Sequence, residues 1–163
     1  MKPTKSSTIG HLKTYGTPAR NNNLGLNMVF NQIKDILKPY EMNLNVKSDT
    51  GQQYELWTTH VYRNKFRPYD IKTGLQFAGL AISKNNVALY LQYFYLQPES
   101  KNELGENIKS KLKGQSCFHI TTLTEELIME IKEAAKKSWD YYLKQKWVTP
   151  LDAWLSKLPS HQL

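Results

Sequence analysis

Leu127, Ile128, Ile131, Ala135, Trp139 and Tyr142 recur at three- and four-residue steps, which is how one apolar face of a helix is written in a sequence. A face that long must be covered, so the rest of the chain has to supply a second apolar layer. The strongest candidate for that layer is Val87 to Leu96, apolar or aromatic at almost every position and therefore expected to be a central strand. Phe77 to Ser83 precedes it as another strand, and Lys84-Asn85-Asn86 supplies the turn between them.

The remaining segments fit the same two-layer plan. Leu24, Met28, Ile33, Ile36 and Leu37 can share a broad helical face, flanked by Val29 and Phe30, and Lys38-Pro39 ends that helix because proline disfavours helical geometry in its predecessor. Met42, Leu44 and Val46 alternate with Asn43, Asn45 and Lys47, the two-residue period of a half-buried strand. Ser48 to Gly51 is a turn signal, and Tyr54 to Thr59 resumes as a strand, predicting a hairpin. A loop over 60–72 follows. Pro98 and Glu99 open a helix expected to run to about Leu112, weakened by Gly105 and capped by Gly114. Ser116 to Ile120 is a short strand, and Thr122-Leu123-Thr124-Glu125 has capping-box spacing at the start of the long helix, whose outer face offers a Glu133–Lys137 pair. After Trp147, Thr149 and Pro150 begin a short terminal helix. The expectation is an α+β fold, a two-layer α/β sandwich with a mostly antiparallel sheet of four or five strands and helices on one face.

Charge divides the chain further. Of a net +8, the first 23 residues contribute Lys2, Lys5, Lys13 and Arg20 with no acid. That segment has too few apolar side chains to offset the entropy of ordering, so 1–23 is read as a flexible basic tail, 24–147 as the domain, and 148–163 as a short helix and tail packing on it. Four bases over 23 residues form no dense cluster, which leaves nucleic acid as a weak alternative partner. A single cysteine rules out an intramolecular disulfide framework and suits a reducing cytoplasm. No apolar run reaches the roughly 18 residues of a membrane span.

The order of these elements, with the segment KGQSCFHI at Lys113 to Ile120 ahead of the long helix, resembles the YdhG-like domain family over about residues 24–147. The hairpin around Val46 to Trp57 and the paired strands Phe77 to Leu96 belong to the same likeness. It implies a two-layer sandwich without a general set of catalytic residues; some relatives are described as frataxin-like iron chaperones. Glu126, Glu130 and Glu133 share a helix face and are the residues that an iron-binding reading would use, although Lys132, Lys136 and Lys137 are interspersed.

Little in the chain announces chemistry. Neither GxGxxG, GxxxxGK[ST] nor GxSxG can be written, and no histidine pair has zinc spacing, so no catalytic residues, metal or cofactor are expected. Cys117 and His119 are two apart and would share one side of a strand, a possible reactive pair, against which stands the commoner role of a structural thiol. Ten of the 19 aromatic residues lie between Tyr54 and Tyr95, interleaved with Arg63, Lys65, Arg67, Lys72 and Lys84. Tyr62, Arg63, Lys65, Arg67 and Tyr69 are the candidate ligand-binding set, because bases and aromatics in a loop can hold a planar or anionic ligand. The functional expectation is a non-catalytic binding module for a small anionic ligand or a protein partner.

Overall fold

In the computed structural model the described residues are 22–59, 61–63 and 71–149. Nearly all of the 1–23 segment and the terminal piece from Pro150 onward lie outside them. The fold is α+β. Helix α1 (Asn22–Leu37) is followed by a 3-10 turn (Lys38–Asn43) and strands β1 (Asn45–Asp49), β2 (Gln53–Trp57), β3 (Val61–Arg63), β4 (Ile71–Thr73), β5 (Gln76–Ile82) and β6 (Val87–Leu91). Then come a single helical turn α2 (Tyr93–Leu96), a second 3-10 turn (Pro98–Glu103), α3 (Glu106–Lys109), β7 (Leu112–Lys113), β8 (Cys117–Ile120) and the long helix α4 (Glu125–Lys144).

Six strands form one antiparallel sheet in the order β1-β2-β5-β6-β8-β7, one more than the upper expectation, while β3 and β4 pair separately. The extra strand is β7, two residues long, in a stretch expected to finish a helix. Register explains which side chains are buried. Tyr54, Leu80, Leu89 and Phe118 lie opposite one another across β2, β5, β6 and β8, and all four are at most 1% exposed. Both α1 and α4 pack on β5 and β6 and against each other, closing the core over that rung. Between Leu56 and Trp57 the β2–β5 register slips by one, so Phe77 is an extra residue on β5. The bulge lets Phe77 join Ala78 in facing the helices, where its ring meets Tyr40, Trp139 and Tyr142 at centroid distances of 5.1, 5.7 and 5.4 Å.

Several local expectations are corrected. On α1 the buried set is Leu26, Val29, Phe30, Ile33 and Leu37, whereas Leu24 and Met28 are exposed. The face is rotated because it places Phe30, the bulkiest apolar side chain of the helix, fully inside. Met42 is exposed in the 3-10 turn that Pro39 initiates, so strand pairing starts only at Asn45. The Val87–Leu96 run is strand only to Leu91, then helical; a run of unbroken apolar residues carries no period with which to separate the two. Its helical turn brings Phe94 edge-on to Phe118 at 5.8 Å.

The helix expected over 98–112 is broken at Leu104-Gly105. At the break the Glu130 carboxylate of α4 closes on Gly105, where a Cβ would fall 2.3 to 2.6 Å from it. That carboxylate reaches past Gly105 to the start of α3, accepting from Asn107 Nδ2 and from Ile108 N, each at 2.7 Å. Gly114 (φ +75°) sits in the β7–β8 turn and not at a helix end. Helix α4 begins two residues later than the capping box placed it: Thr124, extended at φ −109° and ψ 165°, is the cap, and its Oγ1 accepts from Leu127 N at 3.2 Å. Starting there sets Glu125 and Glu126 in the first turn, where the helix dipole favours them. Lys137 pairs with Glu103 at 3.1 Å, and the in-helix pair is Lys136–Asp140 at 2.6 Å.

Candidate functional site

Since the helices gather on one side of the sheet, alternation along each strand hands every second residue to the other side. One rung on that side reads Ser48, Glu55, Gly79, Tyr90, Cys117 and Lys113 across all six strands. The adjacent rung holds Gln53, Ala81, Ala88 and His119. These side chains are small, polar or aromatic, whereas the opposite face is aliphatic and aromatic throughout.

Within this face is a groove of about 290 Å³ lined by Gln53, Glu55, Gln76, Gly79, Leu80, Ala81 and Tyr90. Its floor is backbone, because Gly79 has no side chain and Ala81 a single methyl. The Gln76 carboxamide takes part of the space a larger residue would fill, with Nε2 2.7 Å from where a Gly79 Cβ would stand. One wall is an ordered hydrogen-bonded set: Glu55 Oε1 accepts from Gln53 Nε2 at 2.6 Å, and Oε2 accepts from Trp57 Nε1 at 2.8 Å. Lys47, on the bulged edge strand, lies over the Trp57 ring with Nζ 3.8 Å from its centroid, a cation–π contact. The other wall is Tyr90, 39% exposed.

Tyr90 and Cys117 are directly opposite and hydrogen-bonded to each other. Burial pushes the Cys117 thiol above its ordinary value, and the Tyr90 hydroxyl offsets this only in part. The Tyr90 phenol is raised too, first by its bond to Cys117 and then by burial. His119 stands one rung away on the same face, as the sequence spacing requires, yet the thiol is held protonated, which is the opposite of what a nucleophile needs.

The other candidates fall elsewhere. Tyr62 and Arg63 lie on β3, opposite Lys72 and Ile71 of β4, on a short two-stranded ribbon that continues the β2–β5 pair. Lys65, Arg67 and Tyr69 lie outside the described residues. At the neck of the ribbon buried Thr58 donates its N–H to Leu75 O at 2.9 Å and its Oγ1 accepts from Leu75 N at 3.0 Å. Gly74 at φ +90° completes this neck, with Thr58 O only 2.7 Å from where a Cβ would stand. Of the three glutamates in the iron reading, Glu130 is committed to Asn107 and Ile108, and Glu126 is exposed, its carboxyl held low by its own backbone N–H and the Thr124 hydroxyl. Among the described residues no three His, Cys, Asp or Glu side chains are grouped to hold a metal ion.

Gln53, Glu55, Trp57, Gln76, Gly79 and Tyr90 were not singled out by motif. The signal that could have found them is the alternation Gln53-Tyr54-Glu55-Leu56-Trp57, in which a polar set shares one face opposite an apolar one. No described helix is long and apolar enough to cross a membrane. No family model, curated protein or solved structure matches the chain.

Proposed function

We propose that this chain is a non-catalytic binding module of the YdhG-like kind, working in the cytoplasm, which takes a small anionic ligand on the open face of its sheet. The observation that carries the reading is the groove over Gly79 and Ala81: its walls are planar hydrogen-bonding groups, already ordered by one another. Lys47 on β1 and Lys113 on β7 stand at the two edges of that face, and the chain as a whole is +8, so anions are drawn toward it. The side-chain set binds and orients; it holds no activated nucleophile, since the Cys117 thiol is kept neutral. A protein partner would meet the same face through Trp57 and Tyr90.

The test is a thermal-shift screen of anionic metabolites with the full chain and with Ala81→Phe, which fills the groove from a half-buried position on the open face. A ligand that raises the midpoint of the parent and not of Ala81→Phe supports the reading. A ligand whose effect survives in Ala81→Phe places binding elsewhere and overturns it.

A further inference from the structure

Resting on that reading, we infer that the groove recognises the base of a guanine nucleotide. The argument begins with what the wall leaves unsatisfied. An ionised carboxylate has about four acceptor sites, and Glu55 uses one on each oxygen, for Gln53 and for Trp57. Both oxygens therefore keep acceptor capacity on a carboxylate that is only half-buried and lines the groove. The partner that fits two adjacent acceptors is two adjacent donors on a rigid frame.

Ligands that carry such a pair include guanidinium, amidine and the Watson–Crick edge of guanine. A free cation is disfavoured by Lys47, whose Nζ lies 3.8 Å from the neighbouring Trp57 ring. Guanine resolves the conflict, being a donor edge on a molecule that its phosphate makes anionic. Its N1–H and N2–H₂ meet Glu55, and the adjacent O6 acceptor meets a carboxamide, of which the groove has two, Gln53 and Gln76. Adenine lacks the paired donors. The floor offers a flat surface made of the Gln76 carboxamide lying over Gly79 and the single methyl of Ala81, and Tyr90 closes the far side. The groove of about 290 Å³ takes the base, and Lys47, held over the neighbouring Trp57 ring, is the cation available to the phosphate.

The experiment is a ¹H–¹⁵N titration of the full chain with GMP, AMP and inorganic phosphate, following the backbone amides of Glu55, Gly79 and Tyr90 and the Trp57 indole N–H. GMP is expected to shift these signals saturably and to bind at least ten-fold more tightly than AMP. Glu55→Gln, which keeps the size of the side chain, should bring GMP down to the AMP level, with spectral dispersion showing that the fold is intact. Equal affinity for GMP and AMP, identical shifts from phosphate alone, or no shift with GMP each overturns the guanine assignment. If GMP leaves the signals unmoved while a screened anion moves them, the binding face stands and only guanine falls. If every ligand leaves them unmoved, both fall.

Discussion

Glu130 and Gly105 form a contact whose removal can be worked out in advance. The Glu130 carboxylate accepts from Asn107 Nδ2 and from the Ile108 backbone N–H, each at 2.7 Å, and so supplies α3 with the cap that its own sequence lacks. Ile108 is fully buried, so Glu130→Ala leaves an orphaned amide beside the core. A hydrogen bond to a charged group is worth about 1.5–3 kcal/mol net, and an unsatisfied buried donor costs about 1–3 kcal/mol, so the variant should lose roughly 2–3 kcal/mol. For a chain of this size that corresponds to roughly 4–12 °C in the melting midpoint.

Gly105→Ala should also destabilise, because the new Cβ would lie 2.3 to 2.6 Å from the same carboxylate and must push it away. The backbone there, at φ −60° and ψ 154°, is open to any residue. Once Glu130 is gone, the alanine should therefore be neutral or stabilising by up to about 1 kcal/mol through the unfolded chain. Urea unfolding of the two single variants and the double variant, followed by circular dichroism at 25 °C, forms the cycle. Additive losses, or a Glu130→Ala loss below about 0.5 kcal/mol, would refute the account, since the first denies the contact and the second its energetic value.

Other outcomes follow from burial. The phenols of Tyr54 and Tyr142 are raised well above the ordinary tyrosine value, chiefly by desolvation. An acid whose folded pKa is raised stabilises the fold below its unfolded pKa of about 10 and loses that contribution as the pH rises beyond it. Stability should thus fall above pH ~10, and Tyr142→Phe should shallow the decline in alkaline unfolding, at a cost of about 1 kcal/mol near neutrality for its bond to Gln76 O. Cys117 should react with a thiol probe at pH 7 more slowly than a free thiol, and Tyr90→Phe, which removes the hydroxyl that lowers the thiol pKa, should slow it further; acceleration in either case contradicts the assigned environment.

Legibility in the sequence tracked the range of the interactions involved. The hairpin turn at Gly51, the end of α1 before Pro39 and the inward face of α4 are encoded within a few residues, and the chain carries them openly. At Gly105 the chain meets Glu130, 25 positions away, a contact invisible to local propensity, which reads the glycine only as a weak point in a helix. Tyr93 to Leu96 turn helical because the strand pairing of β6 ends with Leu91, again a fact about neighbours. The candidates at 62–69 rest on bases and aromatics clustered in the chain, whereas the proposed groove draws its walls from β2, β5 and β6, which register alone aligns.

By itself the sequence determined the class of fold: one helical period long enough to demand a covering layer, alternating and apolar runs able to provide it, and turn residues in between. Which polar residues would stand together was settled only by strand order and register, because antiparallel pairing places Glu55, Gly79 and Tyr90 side by side although 35 positions separate the first from the last. Burial of one sheet face is a sum over many interchangeable apolar contacts and survives in composition and periodicity. A binding groove depends on a few particular neighbours, and neighbours exist only once the chain has folded.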